Sequence, residues 1–281
     1  CFVLVVIPIS FVQAKDTITW PYFHYPPLFV SEKGQNEVTG YGIDVTNHIM
    51  QRLSRYNHRF VLSPPARLFS NFKKGEKQCL WGLLKNPKRE KFLHFSIPAF
   101  ITLPRFIVIK RKDLEKFGGG KPVSLRNLLK NKKLILVIKT DVVYSIKLNQ
   151  ILDEFKGQEN IHVAYTSEYG RQELRMLEAG HVDYTISNSS TPYELHKLGL
   201  TNKLMLIPQT DDQSYNLVHV GCSKTDWGKQ VIDNINKVLQ KEISTEIYFN
   251  FYKVLVTENY LPEYRRVFQE LIVKPLNKEK N

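Results

Sequence analysis

The feature that most restricts what this chain can fold into is the regular exchange between β-type runs and short amphipathic stretches. TITWPYFHYPPLFV begins as an extended run and is broken by Pro26 and Pro27. In IDVTNHIMQRLSRY, Val45, Ile49 and Leu53 recur every four residues, which places them on one face of a helix. FVLSP reads as a strand, ARLFSNFKKG as a helix closed by Gly75, and QCLWGLL as a further strand. Strands that alternate with helices form a sheet with parallel pairs, because each helix carries the chain back to the same end.

The alternation resumes after RFIVIK, which reads as an extended crossover, and after the glycine-rich break FGGGKP. Ser124 caps a helix through RNLLK, LILVI is a buried strand, VVYSIKLNQILDEF is helical and IHVAY is a strand. RQELRMLEAG is a helix with Gly180 just past its end, VDYTIS a strand, and TPYELHKLG a helix with Thr191 as N-cap and Pro192 as its first residue. From Tyr215, YNLVHVGC is a returning strand followed by a helical tail with no α/β repeat of its own. The expected architecture is α/β and two-lobed, with each lobe a mostly parallel sheet flanked by helices. Residues 15–110 plus 209–281 form the first, discontinuous lobe and 111–208 the second. Two crossings between lobes make a hinge, and hinged lobes close on ligands.

The first fourteen residues, CFVLVVIPISFVQA, are uncharged and lead into Lys15 and Asp16. They read as the clipped apolar part of a secretory signal, with Val12 and Ala14 where a peptidase needs small residues. A buried strand is the alternative, and a lipid on Cys1 a third; a membrane span needs about 20 apolar residues. Secretion to the periplasm or beyond would leave Cys79 and Cys222 in an oxidising compartment, as a disulfide or as two buried thiols. No CxxC or HExxH occurs, so neither a metal nor another cofactor is expected.

The formal charge of +13 is concentrated, since Arg52 to Lys91 holds 11 Lys or Arg against Glu76 and Glu90. This stretch lacks the aromatic signature of an RNA-binding sheet, so it is a solvated basic face or an attractor of acidic ligands or anionic membranes. No nucleic-acid partner is expected.

Several motifs, taken in order, resemble the bacterial extracellular solute-binding family that includes the amino-acid-binding proteins of transport systems. YPPL at Tyr25 to Leu28 is similar to its YxPF element and GYGIDV at Gly40 to Val45 to its GFDVDL element. KNPKREKFLHFSIPAF resembles the element in which an arginine precedes FSxPY, and LEAGHVDYTI resembles LxxGxxDA. The run FxNFKxGExxCxWGLLKxPxRExFxxFSxP is similar to a subgroup described only as hypothetical binding proteins. The resemblance covers about Thr17 to Leu271 and implies the type 2 periplasmic-binding fold.

It also implies site residues, each with a plainer alternative. Arg89 falls where the family's arginine holds the ligand carboxylate, or is a surface arginine paired with Glu90. Tyr25 matches an aromatic packed on the ligand, or belongs to the core. Thr140 matches a hydroxyl that helps hold the carboxylate, although Lys139 replaces the glycine before it. Asn188 stands where amino-acid binders place the aspartate for the ligand's ammonium, and its neutral amide favours acids without an amine. Asp183 is structural. Arg67 is a candidate for the cleft mouth and Trp81 for a ligand platform, with surface and core as the respective alternatives.

The expected function is capture of a small, carboxylate-bearing or amino-acid-like metabolite without chemistry, by a monomer that serves a membrane permease of ABC type or a signalling receptor. The alternatives are a cleft enzyme of the same fold, similar to cyclohexadienyl dehydratase, with His24, His94 and Glu168 as candidate acids or bases, and an orphan sensor or scaffold.

Overall fold

The computed structural model describes residues 15–31, 37–139, 142–164, 171–188, 190–256 and 261–278. The apolar leader at 1–14 lies outside the described residues. The chain begins with β1 (Thr17–Tyr22), α1 (Tyr41–Arg52) and β2 (Asn57–Leu62), and β1 and β2 pair in parallel from Thr17 opposite Asn57. Val45, Ile49 and Leu53 are buried, as their four-residue spacing requires. The helix α2 (Pro65–Lys73) leads to β3 (Cys79–Leu84), and the turn α3 (Pro87–Glu90) leads to β4 (Leu93–Phe95) and β5 (Phe100–Thr102).

Next comes β6 (Phe106–Lys110), where the extended run RFIVIK, expected as a crossover, pairs with β9 and β10. A 3-10 turn at Arg111–Phe117 then runs into Gly118, Gly119 and Gly120, all with left-handed φ. The second half continues with α4 (Leu125–Lys130), β7 (Leu136–Lys139), α5 (Ile146–Glu154) and β8 (Ile161–Ala164). It ends with α6 (Arg171–Ala179), β9 (Tyr184–Ile186), α7 (Thr191–Lys197) and β10 (Leu204–Pro208). Ser190 takes the N-cap position of α7, one residue before the expected Thr191, whose hydroxyl instead accepts from the Asn188 amide at 2.9 Å.

These strands form one five-stranded sheet in the order β10-β6-β9-β7-β8. β7 is parallel to β8 and β9, joined by the helical crossovers, whereas β6 pairs antiparallel with β9 and β10. Alternate residues face opposite sides. Ile107, Ile109 and Leu136 pack with α4 and α5, while Val108 and Val137 pack with α6 and α7. Burial on both faces explains why LILVI is apolar throughout.

The returning strand β11 (Asn216–Ser223) pairs antiparallel with β3, β4 and β5. The tail, α8 (Asp226–Glu242), α9 (Glu246–Asn250), α10 (Leu261–Phe268) and α11 (Lys274–Lys278), shares a core with residues from Ile18 to Ile101. α8 is capped by Thr225, whose hydroxyl accepts from the Gly228 amide, and buries Val231, Ile235, Val238 and Leu239 on one stripe. Cys79 and Cys222, directly opposite on β3 and β11, form a disulfide that ties chain segments 143 residues apart. No helix among the described residues is long and apolar enough to cross a membrane.

Candidate functional site

A cavity of about 90 Å³ lies where the two halves of the fold meet. The first half supplies most of its wall, including Tyr25, Trp81, Arg89 and Phe100, and the second supplies Val142 and Val143. Arg105, on the chain's first passage between the two sheets, completes it.

The position of Trp81 follows from a defect in β3. Leu80 pairs with Gly221 and Leu83 with His219, so Trp81 and Gly82 together face the single residue Val220. This is a β-bulge, which locally bends a strand and re-aims its side chains. Gly82 permits it with φ of 91°, and a Cβ there would lie 2.7 Å from the Leu28 side chain. Trp81 is 1% exposed, with its ring packed in the core, and the residue also lines the cavity. Its ring is parallel to Phe100, which stacks on Tyr252 at 4.6 Å. The tail locks this stack from behind, with the Tyr248 hydroxyl donating to the Ala99 carbonyl and the Tyr264 hydroxyl to the Ile101 carbonyl.

Arg89 is presented by the short turn α3, whose first amides are capped by the Asn86 side chain. Its guanidinium donates to the Leu84 carbonyl at 3.0 Å and lies over the Phe69 ring, 5.2 Å from the centroid. Glu90 pairs with Lys85 instead. Tyr25 reaches the cavity from the loop after β1 and packs against Phe23.

Arg105 was not singled out from the sequence, although a lone arginine between Pro104 and the apolar run FIVI is a signal in itself. It is 7% exposed, and its Nε donates to the Tyr144 carbonyl of the second half at 3.0 Å. Burial draws its pKa down, opposed by the Tyr25, Tyr144 and Tyr41 rings around it, and an arginine remains charged under such conditions. The Arg105 carbonyl in turn accepts from Gln209 on the second passage, which ties the two crossings together.

The remaining sequence candidates lie elsewhere. Arg67 lines a separate surface groove with Arg59, Asn71 and Lys77 and does not line the cavity. Asn188 is not among the cavity's lining residues; its amide oxygen accepts from the Ser190 amide and hydroxyl and so shapes the entry to α7. Thr140 lies outside the described residues. Lys139 before it is 6% exposed, and its amide donates to the Tyr144 hydroxyl. Asp183 accepts from the Ile135 amide and pairs with Lys116, a structural role at a strand entry.

Of the three candidate acids and bases, Glu168 lies outside the described residues. His94 is in β4, and burial followed by Lys224 and Lys229 draws its pKa down. His24 accepts from the Ser31 amide and meets the second half, with its Nε2 at 3.4 Å from Arg171 and 3.8 Å from Glu194. Glu194 is fully buried; burial raises its pKa, but the nearby His24 and the bond from Arg171 outweigh that and hold it below the usual range. Among the described residues no cluster of His, Cys, Asp or Glu is built to hold a metal.

Two separately cored halves, two chain crossings and a cavity between them with arginines in its wall define a two-lobed α/β binding protein of the type 2 periplasmic class. Residues 22–253 match the model of the bacterial extracellular solute-binding proteins, family 3, and the chain belongs to that family. Its fold is similar to a histidine kinase sensor domain with similarity to periplasmic binding proteins, at 18% identity and TM-score 0.68, covering 86% of this chain and 96% of that one. A putative L-cystine ABC transporter protein from Listeria monocytogenes matches at 18% identity and TM-score 0.68, covering 87% of this chain and 98% of that one. An ancestral amino-acid-binding protein, a precursor of cyclohexadienyl dehydratase, matches at 16% identity and TM-score 0.65, with 86% and 96% covered. No curated protein matches the chain.

Proposed function

We propose that this solute-binding protein closes its two lobes on a small carboxylate-bearing metabolite outside the cytoplasm and delivers it to an ABC-type permease. The observation that carries the reading is the charge of the cavity wall. Arg89 and Arg105 line it, and no carboxylate does so among the described residues. A planar guanidinium matches a carboxylate with two parallel hydrogen bonds, poorly screened once water is excluded. Among the described residues the wall offers no carboxylate to pair with a ligand ammonium, which favours acids that lack one.

The lobes divide at the two passages near 103–105 and 209–215. We place β6 with the second lobe because Ile107 and Ile109 share its core. Binding is favoured over catalysis because neither His24 nor His94 lines the cavity, and His24 is engaged with the Ser31 amide. The structural likeness to a histidine kinase sensor domain supports a second reading, in which the same closure feeds a receptor.

A thermal-shift screen against carboxylates, amino acids, sugars and phosphorylated metabolites tests the proposal. A ligand at 100 times its Kd stabilises the fold by about 2.7 kcal/mol. A carboxylate as the best hit is expected; a neutral sugar as the best hit overturns the reading.

A further inference from the structure

Two residues that line the cavity each carry a buried polar atom with no hydrogen-bond partner among the described residues, namely Nε1 of Trp81 and Oγ1 of Thr102. Both belong to residues more than nine-tenths buried, at 1% and 6% exposure. Orphaned buried donors are rare because the lost hydration is uncompensated, so a cluster of them beside a cavity marks where a ligand atom completes the set. An indole N–H only donates, so its partner must be an acceptor. Thr102 ends β5, two residues beyond Phe100, whose ring Trp81 overlies, and three residues before Arg105. Arg105 adds a buried positive charge at the same wall, remote in sequence from Arg89 and its turn α3.

We infer that Trp81, Thr102 and Arg105 form a second oxygen-binding end of the cavity, so that the ligand class is a short dicarboxylic acid held by Arg89 at one end and by this trio at the other. The inference rests on the proposed carboxylate capture and adds the second acid group to it. The apolar part of the lining, which includes Phe100, Val142 and Val143, suits a short methylene chain. A hydrogen bond to a charged oxygen carries more weight than a neutral one, so Trp81 and Thr102 read the second carboxylate far more strongly than a methyl group in its place.

Calorimetric titration with succinate and glutarate, each against the mono-acid of equal chain length (butyrate and pentanoate), tests this. The diacids are expected to bind at least about tenfold tighter. Trp81→Phe keeps an aromatic ring and removes the N–H; it should weaken the diacids about tenfold and the mono-acids less than about threefold. Thr102→Val gives a second, independent reading if the tryptophan variant fails to fold. Equal affinity for diacids and mono-acids, or diacid binding unchanged in both variants, overturns the inference. If Arg89→Gln abolishes acid binding while those variants do not affect it, carboxylate capture stands and the second end falls. If no acid of either kind binds, both fall.

Discussion

The two lobes contribute unequally to the cavity. The first carries the disulfide, the Trp81–Phe100–Tyr252 stack and Arg89, all held by the C-terminal helices packed behind them. The second offers an apolar cover, Val142 and Val143, and meets the first through Arg105 and through His24 with Arg171 and Glu194. On the proposed reading, one lobe is a preformed binding wall and the other a cover whose fit depends on a few polar contacts. This division makes the effects of substitution separable: changes in the wall should cost both stability and binding, and changes in the cover mostly one of them.

The largest effect is expected from the first lobe. Phe100→Ala removes the middle ring of the stack and should destabilise the protein by about 3 to 5 kcal/mol while also weakening ligand binding. Leu148→Ala, in the buried core of the second lobe, should cost about 2 to 5 kcal/mol with ligand affinity nearly unchanged. Chemical denaturation combined with ligand titration checks both, and equal loss of binding in the two variants would break the contrast. Replacing both Cys79 and Cys222 with alanine should cost about 2 to 5 kcal/mol, seen as a lowered Tm of the first lobe.

Acid should also reach the two lobes at different pH. In the first, His219 donates from Nδ1 to the Ser96 carbonyl, and His58 accepts from the Trp20 indole and donates to the Leu53 carbonyl. Burial lowers both pKa values, so the unfolded chain binds more protons than the folded one just below the ordinary histidine value of about 6.5. Stability from these groups is complete above that pH and is lost as pH falls towards their folded values. In the second lobe, Asp183 is held low; burial opposes this, and Lys116 with the Ile135 amide outweighs it. Its contribution is lost only as pH falls below the usual carboxylate range of about 4. Burial raises the pKa of Glu173 in the second lobe, so that lobe loses no stability as pH falls from 7 to 5; denaturation followed by probes in each lobe should show the first weakening and the second not weakening. The smallest effect belongs to Asn188→Ala: loss of the bonds to Ser190 should cost about 1 kcal/mol of stability and leave ligand affinity unchanged.

The sequence disclosed the helices and strands where hydrophobic spacing decides them, as in α1, α8 and the doubly buried β7. It disclosed β6 as an extended run but not its pairing, because the partner strands lie more than 70 residues away. The resemblance located Arg89 and Tyr25 at the cavity, since their elements keep family order. It could not locate Arg105 or the polar edge of Trp81. Those arise from a chain crossing and a strand bulge, both of which depend on contacts between distant segments. Asn188 illustrates the converse: a position counted from a motif can be taken over by local capping, which the short spacing to Ser190 and Thr191 permits.

The central claim is that an acid is held between these lobes by Arg89. Calorimetric titration of the best-binding carboxylate against the native protein and Arg89→Gln tests it most directly. A loss of about 2 kcal/mol or more in binding, roughly 30-fold in Kd, is predicted. Equal affinity in the two proteins would contradict the claim.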